Sequence, residues 1–378
     1  MTQSESDLAI PSKRDYQTIR QWFKTGRSLK YKHKLKQFHF HQSVPFPEPK
    51  TIEKKLHWYF RRCSAKWKED TLFPTIHTAV IKKGRIYGAR GIVLTPENKL
   101  IRHISYPHIL AGKDRLPEPV YLNKTVAYLS FRYPNNYFHW MFDVLPRIAL
   151  LRECKVNIDK YVISPPGNFP YKEMLRALGI PEKKVIIASE DFHIKANKVV
   201  VVDKYSKWAP YVHVYPEWTS KFLRDELSGC NTKGTSKKYE RLYVSRAHAG
   251  GRKMTNEDEV VRCLESHGFH CIHPDTMSFA EQIRAFQSAD IIVSPHGASL
   301  ANLVFTKPGT KLIEIFSPNY VRDYYLVIAA HMKLDYYYLI GDGKRPIRDH
   351  KYTKGLYDDI TVNIDGLTKI LQKAGVHK

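Results

Sequence analysis

Residues 291–302, reading I-I-V-S-P-H-G-A-S-L-A-N, constrain this chain more than any other stretch, because an apolar run passes through His296, Gly297 and Ala298 into residues of helical spacing. A strand that turns on glycine into a helix presents the unpaired N–H groups of the helix start. Aligned peptide dipoles favour negative charge there, and glycine lets a phosphate approach the main chain. A turn that needs glycine for backbone reasons alone would read the same way, so the surroundings decide.

Those surroundings repeat one pattern. Arg241 to Ser245 reads as a short strand that empties into a loop carrying Arg246, His248, Gly250, Gly251, Arg252 and Lys253. A helix follows, with Asn256 as N-cap, Glu259 at the capping-box position and Gly268 as its stop. Strand 269–272, a helix opened by Ser278 with Glu281 three residues on, and strand 291–294 come next. Beyond the glycine turn the order is strand 311–316, helix 321–332 and strand 336–340. Strands alternating with helices of this length predict a parallel sheet covered on both faces, with ligands beyond the carboxyl ends of its strands.

Arg246, Arg252, His296 and Glu314 all fall at or near such ends. Two guanidinium groups can fork onto phosphate oxygens, helix-start amides can take another oxygen, and a carboxylate can accept both hydroxyls of a ribose. A solvated basic loop would explain either arginine alone. Glu314 is harder to set aside: it interrupts the apolar strand K-L-I-E-I-F, and a buried carboxylate requires either a ligand or a salt bridge.

A second constellation lies in the first half, where the apolar run 126–131 leads into R-Y-P-N-N-Y-F-H-W-M-F-D-V-L-P-R, residues 132–147. Helical spacing from Asn136 puts Asn136, His139 and Asp143 on one face, and Pro146 kinks that helix or costs it a turn. A histidine and a carboxylate one turn apart suit a general base acting on an alcohol. They also suit a core histidine satisfied by an aspartate.

The block N-N-Y-F-H-W-M-F-D-V-L-P-R, followed by Y-V-S-R, an arginine-bearing glycine loop, N-E-D-E-V, S-P-H-G-A-S-L-A-N-L-V-F and L-I-E-I-F, resembles glycosyltransferase family 61 over roughly residues 126–340, in the manner of bacterial members of capsular and surface polysaccharide synthesis. The resemblance implies a GT-B architecture, in which two Rossmann-like α/β domains face a cleft. It implies donor binding by the second domain, acceptor binding by the first, and inversion at the sugar carbon without a metal. Carried over, Arg246 and His296, Gly297, Ala298 and Ser299 bind the donor phosphates, with Asn302 in the same block. Glu314 takes the ribose, while Asn136, His139 and Asp143 face the transferred sugar and the acceptor hydroxyl. Arg252 and Arg132 are further donor-binding positions in loops of variable length. Either His139 or Asp143 takes the proton.

Other features agree with that reading. No Asp-x-Asp occurs to bridge a divalent ion to a diphosphate, and no Cys-x-x-Cys or His-x-x-x-His pair occurs with further ligands in a plausible order, so neither a metal nor another cofactor is expected. Gly-x-Gly-x-x-Gly and Gly-x-Ser-x-Gly are also missing, which argues against nicotinamide and α/β-hydrolase chemistry. Five scattered cysteines fit a reducing compartment. No signal peptide or membrane-spanning run is legible, so a cytoplasmic chain, peripheral on the inner face of the membrane, is expected.

At 378 residues the chain suits two medium domains. Residues 1–70, with 16 Lys/Arg against 7 Asp/Glu, read as a basic N-terminal extension in which 52–68 form an amphipathic helix able to lie on an anionic membrane or, more commonly, to pack on the first domain. Residues 71–205 read as the acceptor domain with a β-rich start, 206–345 as the nucleotide-sugar domain, and 346–378 as a tail packing back on the first. The net charge of +24 suits an anionic membrane surface or a lipid-linked or acidic glycan acceptor. It would equally suit a protein that binds nucleic acid or anionic lipid. No nucleic-acid module is legible and the basic residues run throughout, so nucleic acid is not an expected partner. A sugar-binding relative without turnover would carry the same motif residues.

Overall fold

Short apolar strands separated by amphipathic helices bury both strand faces in parallel sheets covered on two sides; the second half of the chain builds such a sheet, and the first half builds a mixed one with a parallel core. The computed structural model describes residues 9–11, 15–24, 35–39, 45, 47–69, 73, 75–131, 133–209, 212–230, 238–344 and 355–377. The chain divides into two units, residues 1–40 with 73–206 and residues 41–72 with 207–378.

The first unit holds β1 (Leu35–Phe38), β2 (Ile76–Lys82), β3 (Arg85–Tyr87), β4 (Ile92–Leu94), β5 (Val120–Tyr128), β6 (Lys160–Ile163), β7 (Val185–Ile187) and β8 (His193–Val202). The sheet runs β1-β2-β8-β5-β6-β7, with β3 on β8 and β4 on β3. Strands β8, β5, β6 and β7 are mutually parallel, β2 joins β8 antiparallel, and β1 pairs antiparallel with β2 at the edge. Strand β8 is ten residues long, and the apolar run 199–202 forms only its later half. Its early half pairs with the β3–β4 hairpin and with the exposed start of β5, contacts too distant in sequence to be read locally.

In the second unit, β9 (Lys207–Ala209) and β10 (Val212–Val214) form a hairpin, and β11 (Arg241–Val244), β12 (His270–Ile272), β13 (Ile291–Pro295), β14 (Lys311–Phe316) and β15 (Asp335–Ile340) form a fully parallel sheet in the order β12-β11-β13-β14-β15. That is the doubly wound, Rossmann-like order of a sheet whose first strand lies between its second and third. The direction of winding reverses between β11 and β13, and the crevice outside their carboxyl ends is where such sheets bind ligands.

Two expectations about the chain ends change. The helix read as 52–68 begins at Trp58 and ends at Glu69, and it packs in the second unit, where Phe60 meets Phe316, Tyr336 and Tyr338. Tyr59, Phe60, Cys63 and Trp67 are all buried, so the apolar face that a membrane would take is already covered by protein. Residues 50–57 are not helical because Lys50 pairs with the outer edge of β15. Its N–H donates to the Tyr336 carbonyl and its carbonyl accepts from the Tyr338 N–H, both at 2.9 Å. An otherwise open sheet edge is thereby closed. The C-terminal helix, Ile364–Lys373, expected to pack on the first domain, belongs to the second unit. Leu367, Ile370 and Leu371 join Val260, Leu264, Val293, Ile313 and Leu339 in the second unit's own core. No helix among the described residues is long and apolar enough to cross a membrane.

Candidate functional site

The switch-point crevice of the second unit is lined by the loops leaving β11 and β13. Arg246 follows β11, and its guanidinium lies directly against Gly297, which follows β13. A Cβ on Gly297 would fall 2.0 Å from Arg246 Nη1 and 2.8 Å from its Cδ. The glycine is extended (φ −170°), so it is required here for close approach and not for backbone freedom. The space that the sequence reserves for a phosphate is taken, in part, by an arginine. Arg246 Nη2 donates to the Gly251 carbonyl at 2.9 Å, while its Nε is buried with no hydrogen-bond partner.

Arg252 stands beside it in a left-handed conformation (φ +55°), with Nε donating to the His296 carbonyl at 3.0 Å, Nη1 donating to the Leu356 carbonyl, and the guanidinium 5.2 Å from the Tyr320 ring. Neither arginine has a carboxylate partner among the described residues. Burial, then the neighbouring Arg252 cation, pushes Arg246 down to about 10. Two cations held together without a counter-charge form a ready-made site for an anion.

Residues 298–305 follow as a 3₁₀ helix rather than the expected α-helix. Its first intrahelical bond runs from the Leu300 N–H to the Gly297 carbonyl, which leaves the Ala298 and Ser299 amides at its start. Asn302 is fully buried and donates to Gln282 Oε1 at 2.9 Å. This bond ties the helix to its neighbour Phe279–Ser288, so Asn302 braces the turn from behind and is not placed to touch a donor.

Glu314 differs most from expectation. It is fully buried, with one carboxyl oxygen against His296 Nδ1 and the other accepting from Tyr336 Oη at 2.5 Å. Both lone-pair faces that a ribose would need are committed inside the protein. Burial raises Glu314 well above the usual carboxylate range, and burial followed by Arg252, Arg246 and Arg322 lowers His296 well below the usual imidazole range. Burial thus favours the uncharged form of each partner, and the pair is turned inward on itself and on Tyr336. His296 is also boxed by the rings of Phe316, Tyr320, Tyr324 and Tyr325, with centroids 5.1–6.0 Å away. Glu314 and Tyr336 fix the orientation of His296, whose carbonyl in turn holds Arg252.

In the first unit the dyad of His139 and Asp143 forms as the spacing predicts, with Nδ1 and Oδ2 2.8 Å apart. The local backbone is unusual. Asn136 caps the helical turn Tyr137–His139, its side chain accepting from the His139 N–H at 3.3 Å, and residues 140–144 then form a π-helical turn closed by the Leu145 N–H on the Trp140 carbonyl at 3.1 Å. Pro146 has no N–H for the Phe142 carbonyl, and Tyr205 Oη donates to that carbonyl instead at 2.6 Å. Ser206 Oγ reaches Asp143 Oδ1 at 3.4 Å. An ionised carboxylate can only accept, so His139 Nδ1 carries a hydrogen and Nε2 is its basic nitrogen. Asp143 is 4% exposed and the His139 ring is sandwiched by Phe131 and Tyr133 at 5.3 and 5.2 Å.

Asn136 is thus committed to capping, and Arg132 lies outside the described residues. Tyr336 and the aromatic box were not legible as site residues, whereas Tyr205 and Ser206 fall in the aromatic, proline-rich stretch 204–216, which the sequence offers as a hinge or acceptor cleft. The proline was the available signal for Tyr205, since a missing N–H leaves a carbonyl that something must satisfy.

A family profile described as Glycosyltransferase 61 matches residues 137–313, from the turn carrying His139 to the middle of β14. A beta-1,2-xylosyltransferase of Oryza sativa subsp. japonica, RCN11, is 31% identical over 132 residues, which cover 30% of this chain and 24% of that one. A beta-1,2-xylosyltransferase of Arabidopsis thaliana is 38% identical over 61 residues (16% and 11%), and the xylan glycosyltransferase MUCI21 of the same plant is 32% identical over 96 residues (24% and 19%). The chain therefore spans a quarter or less of the length of each of these relatives.

Proposed function

From the match of residues 137–313 to the glycosyltransferase 61 family, we propose that the chain transfers a sugar from a nucleoside diphosphate sugar to a glycan or lipid-linked acceptor, by inversion and without a metal. One observation carries the reading: the un-neutralised pair Arg246 and Arg252 packed on Gly297 at the switch point of a doubly wound sheet. In this reading the diphosphate lies against the two guanidinium groups and the Ala298 and Ser299 amides. The charge that develops on the leaving group is met by fixed cations, the role a divalent ion plays elsewhere.

His139 is the base and Asp143 its orienting partner. The acceptor hydroxyl gives its proton to His139 Nε2, and its oxygen bonds to the anomeric carbon from the face opposite the diphosphate. The carbon–oxygen bond to the diphosphate breaks as the new one forms, and the electron pair leaves with the nucleotide. The GT-B assignment, with the donor on the second unit and the acceptor on the first, belongs to this proposal. So do a uridine donor, a cytoplasmic place at the inner membrane face, and a role in surface polysaccharide synthesis. Because two of the plant relatives are named xylosyltransferases, a pentose is the first sugar to try.

The test is thermal stabilisation and donor hydrolysis across a panel of nucleoside diphosphates and nucleotide sugars, with and without EDTA. Stabilisation and hydrolysis with one nucleotide family, unchanged by EDTA, support the proposal. Loss of both on chelation removes metal independence, and no response to any nucleotide removes the transferase reading.

A further inference from the structure

On the first unit, a cavity of about 150 Å³ opens beside Phe131, whose ring lies 5.3 Å from that of His139. Arg90, His108, Arg147 and Lys204 line it, and no carboxylate does. Two of the residues that line it carry a buried polar atom without a hydrogen-bond partner, Nε of Arg147 and the hydroxyl of Ser130. These residues are only 3% and 2% exposed.

Arg147 is held rigidly: its Nη1 donates to the Ser130 carbonyl at 3.2 Å and its guanidinium lies 5.9 Å from the Phe131 ring. Of the acids that flank this region, Asp143 is engaged through both oxygens and Asp203 through Oδ2 alone, its Oδ1 being buried without a partner. Asp143 is bound by His139 and Ser206, and Asp203 accepts from the His77 backbone N–H at 3.2 Å and meets its ring Nδ1 at 2.8 Å. A desolvated guanidinium N–H and a desolvated hydroxyl without partners, on a wall that carries only basic charge, are what a bound oxyanion would satisfy.

We propose that this cavity is an acceptor subsite that binds one oxyanion, a carboxylate or a phosphate, so that the acceptor is an acidic glycan or a phosphate-bearing one. The inference rests on the transferase reading above and names its acceptor class. The volume is below the ~300 Å³ of a pocket that encloses a whole small molecule, and suits one charged group with part of its sugar. The cavity shares the Phe131 ring with His139, so a group bound in it lies one side chain away from the proposed base.

The experiment is titration calorimetry of the full chain at low ionic strength with glucuronate, glycerol 3-phosphate and, as the neutral control, methyl glucoside. Donor hydrolysis is followed in parallel. One or both anions bind and the neutral sugar does so at least about tenfold more weakly, glucuronate alone indicating a uronic acid and glycerol phosphate alone a phosphate. Ser130→Ala, which removes one atom and preserves packing, and Arg147→Lys each weaken anion binding about tenfold. Equal binding of neutral and anionic ligands, no anion binding, or anion binding unaffected by Ser130→Ala would overturn the subsite. Anion binding without hydrolysis of any nucleotide sugar would leave the subsite and remove the transferase reading, while hydrolysis without anion binding would do the reverse.

Discussion

The guanidinium of Arg246 occupies the space that a side chain on Gly297 would need, its Nη1 lying 2.0 Å from the position of a Cβ there. The loops after β11 and β13 are thereby locked to one another at the switch point. Gly297→Ala is expected to displace Arg246 and weaken nucleoside diphosphate binding by about tenfold or more, with a loss of about 1–3 kcal/mol in stability from overpacking. Calorimetric affinity and denaturant midpoints check this. An alanine variant that binds as tightly as the parent would show that the arginine has another place to go.

Arg246 is held as a cation beside Arg252 with no acid to balance it, and such a site costs stability until an anion arrives. Arg246→Met should leave the ligand-free protein at least as stable as the parent while removing most of the Tm increase that a nucleoside diphosphate gives. Retention of that increase would place the diphosphate elsewhere.

Asp143 fixes the tautomer of His139 through its 2.8 Å contact with Nδ1. Asp143→Asn preserves shape but lets the amide donate to Nδ1, which turns the basic nitrogen away from its task. Transfer should fall by about 10²–10⁴-fold in Asp143→Asn and in His139→Ala, with donor affinity little changed. Steady-state transfer beside nucleotide titration separates the two effects, and normal turnover by both variants would remove the dyad from the chemistry.

Burial favours the uncharged form of Glu314, so Glu314→Gln keeps that charge and most of the shape. Nucleotide affinity should change by less than about threefold, whereas Glu314→Ala leaves Tyr336 Oη and His296 Nδ1 without their partner and should cost about 2–4 kcal/mol. A tenfold loss of affinity in the glutamine variant would restore the ribose contact that the buried geometry argues against.

His331 is buried against Ser220 Oγ, 2.8 Å from Nδ1, and burial pushes it down from the usual 6.5 to about 3. A depressed histidine makes the unfolded chain the better proton acceptor below pH 6.5. Its contribution is complete above that pH and declines as pH falls toward 3, by up to about 1.4 kcal/mol per unit. Denaturation at pH 7 and 5 should show a smaller acid loss, by about 2 kcal/mol, in His331→Gln than in the parent. Equal acid losses would mean that the folded ring takes up its proton as readily as the unfolded one.

Most of the second unit was legible. The runs that became β11, β13, β14 and β15 are apolar because both faces are buried, and the capping box of Ser278 and Glu281 forms as its spacing states. The His139–Asp143 contact was equally legible, since residues four apart on a helical turn meet whatever the rest of the chain does. Local rules fix these features.

The sequence by itself thus determined the alternation of strands and helices, the glycine turn, the two arginines and the dyad, all of which follow from spacing over a few residues. Tertiary structure decided what those groups were for. It turned Glu314 inward to His296 and Tyr336, set Asn302 behind the turn against Gln282, and brought Tyr205 to the carbonyl that Pro146 left open. It also placed the helices Trp58–Glu69 and Ile364–Lys373 in the core of the second unit. The physical reason is common to all of these. A buried polar group or an apolar helix face takes the partner that packing brings to it, and those partners lie tens to hundreds of residues away, where no periodicity of the chain records them.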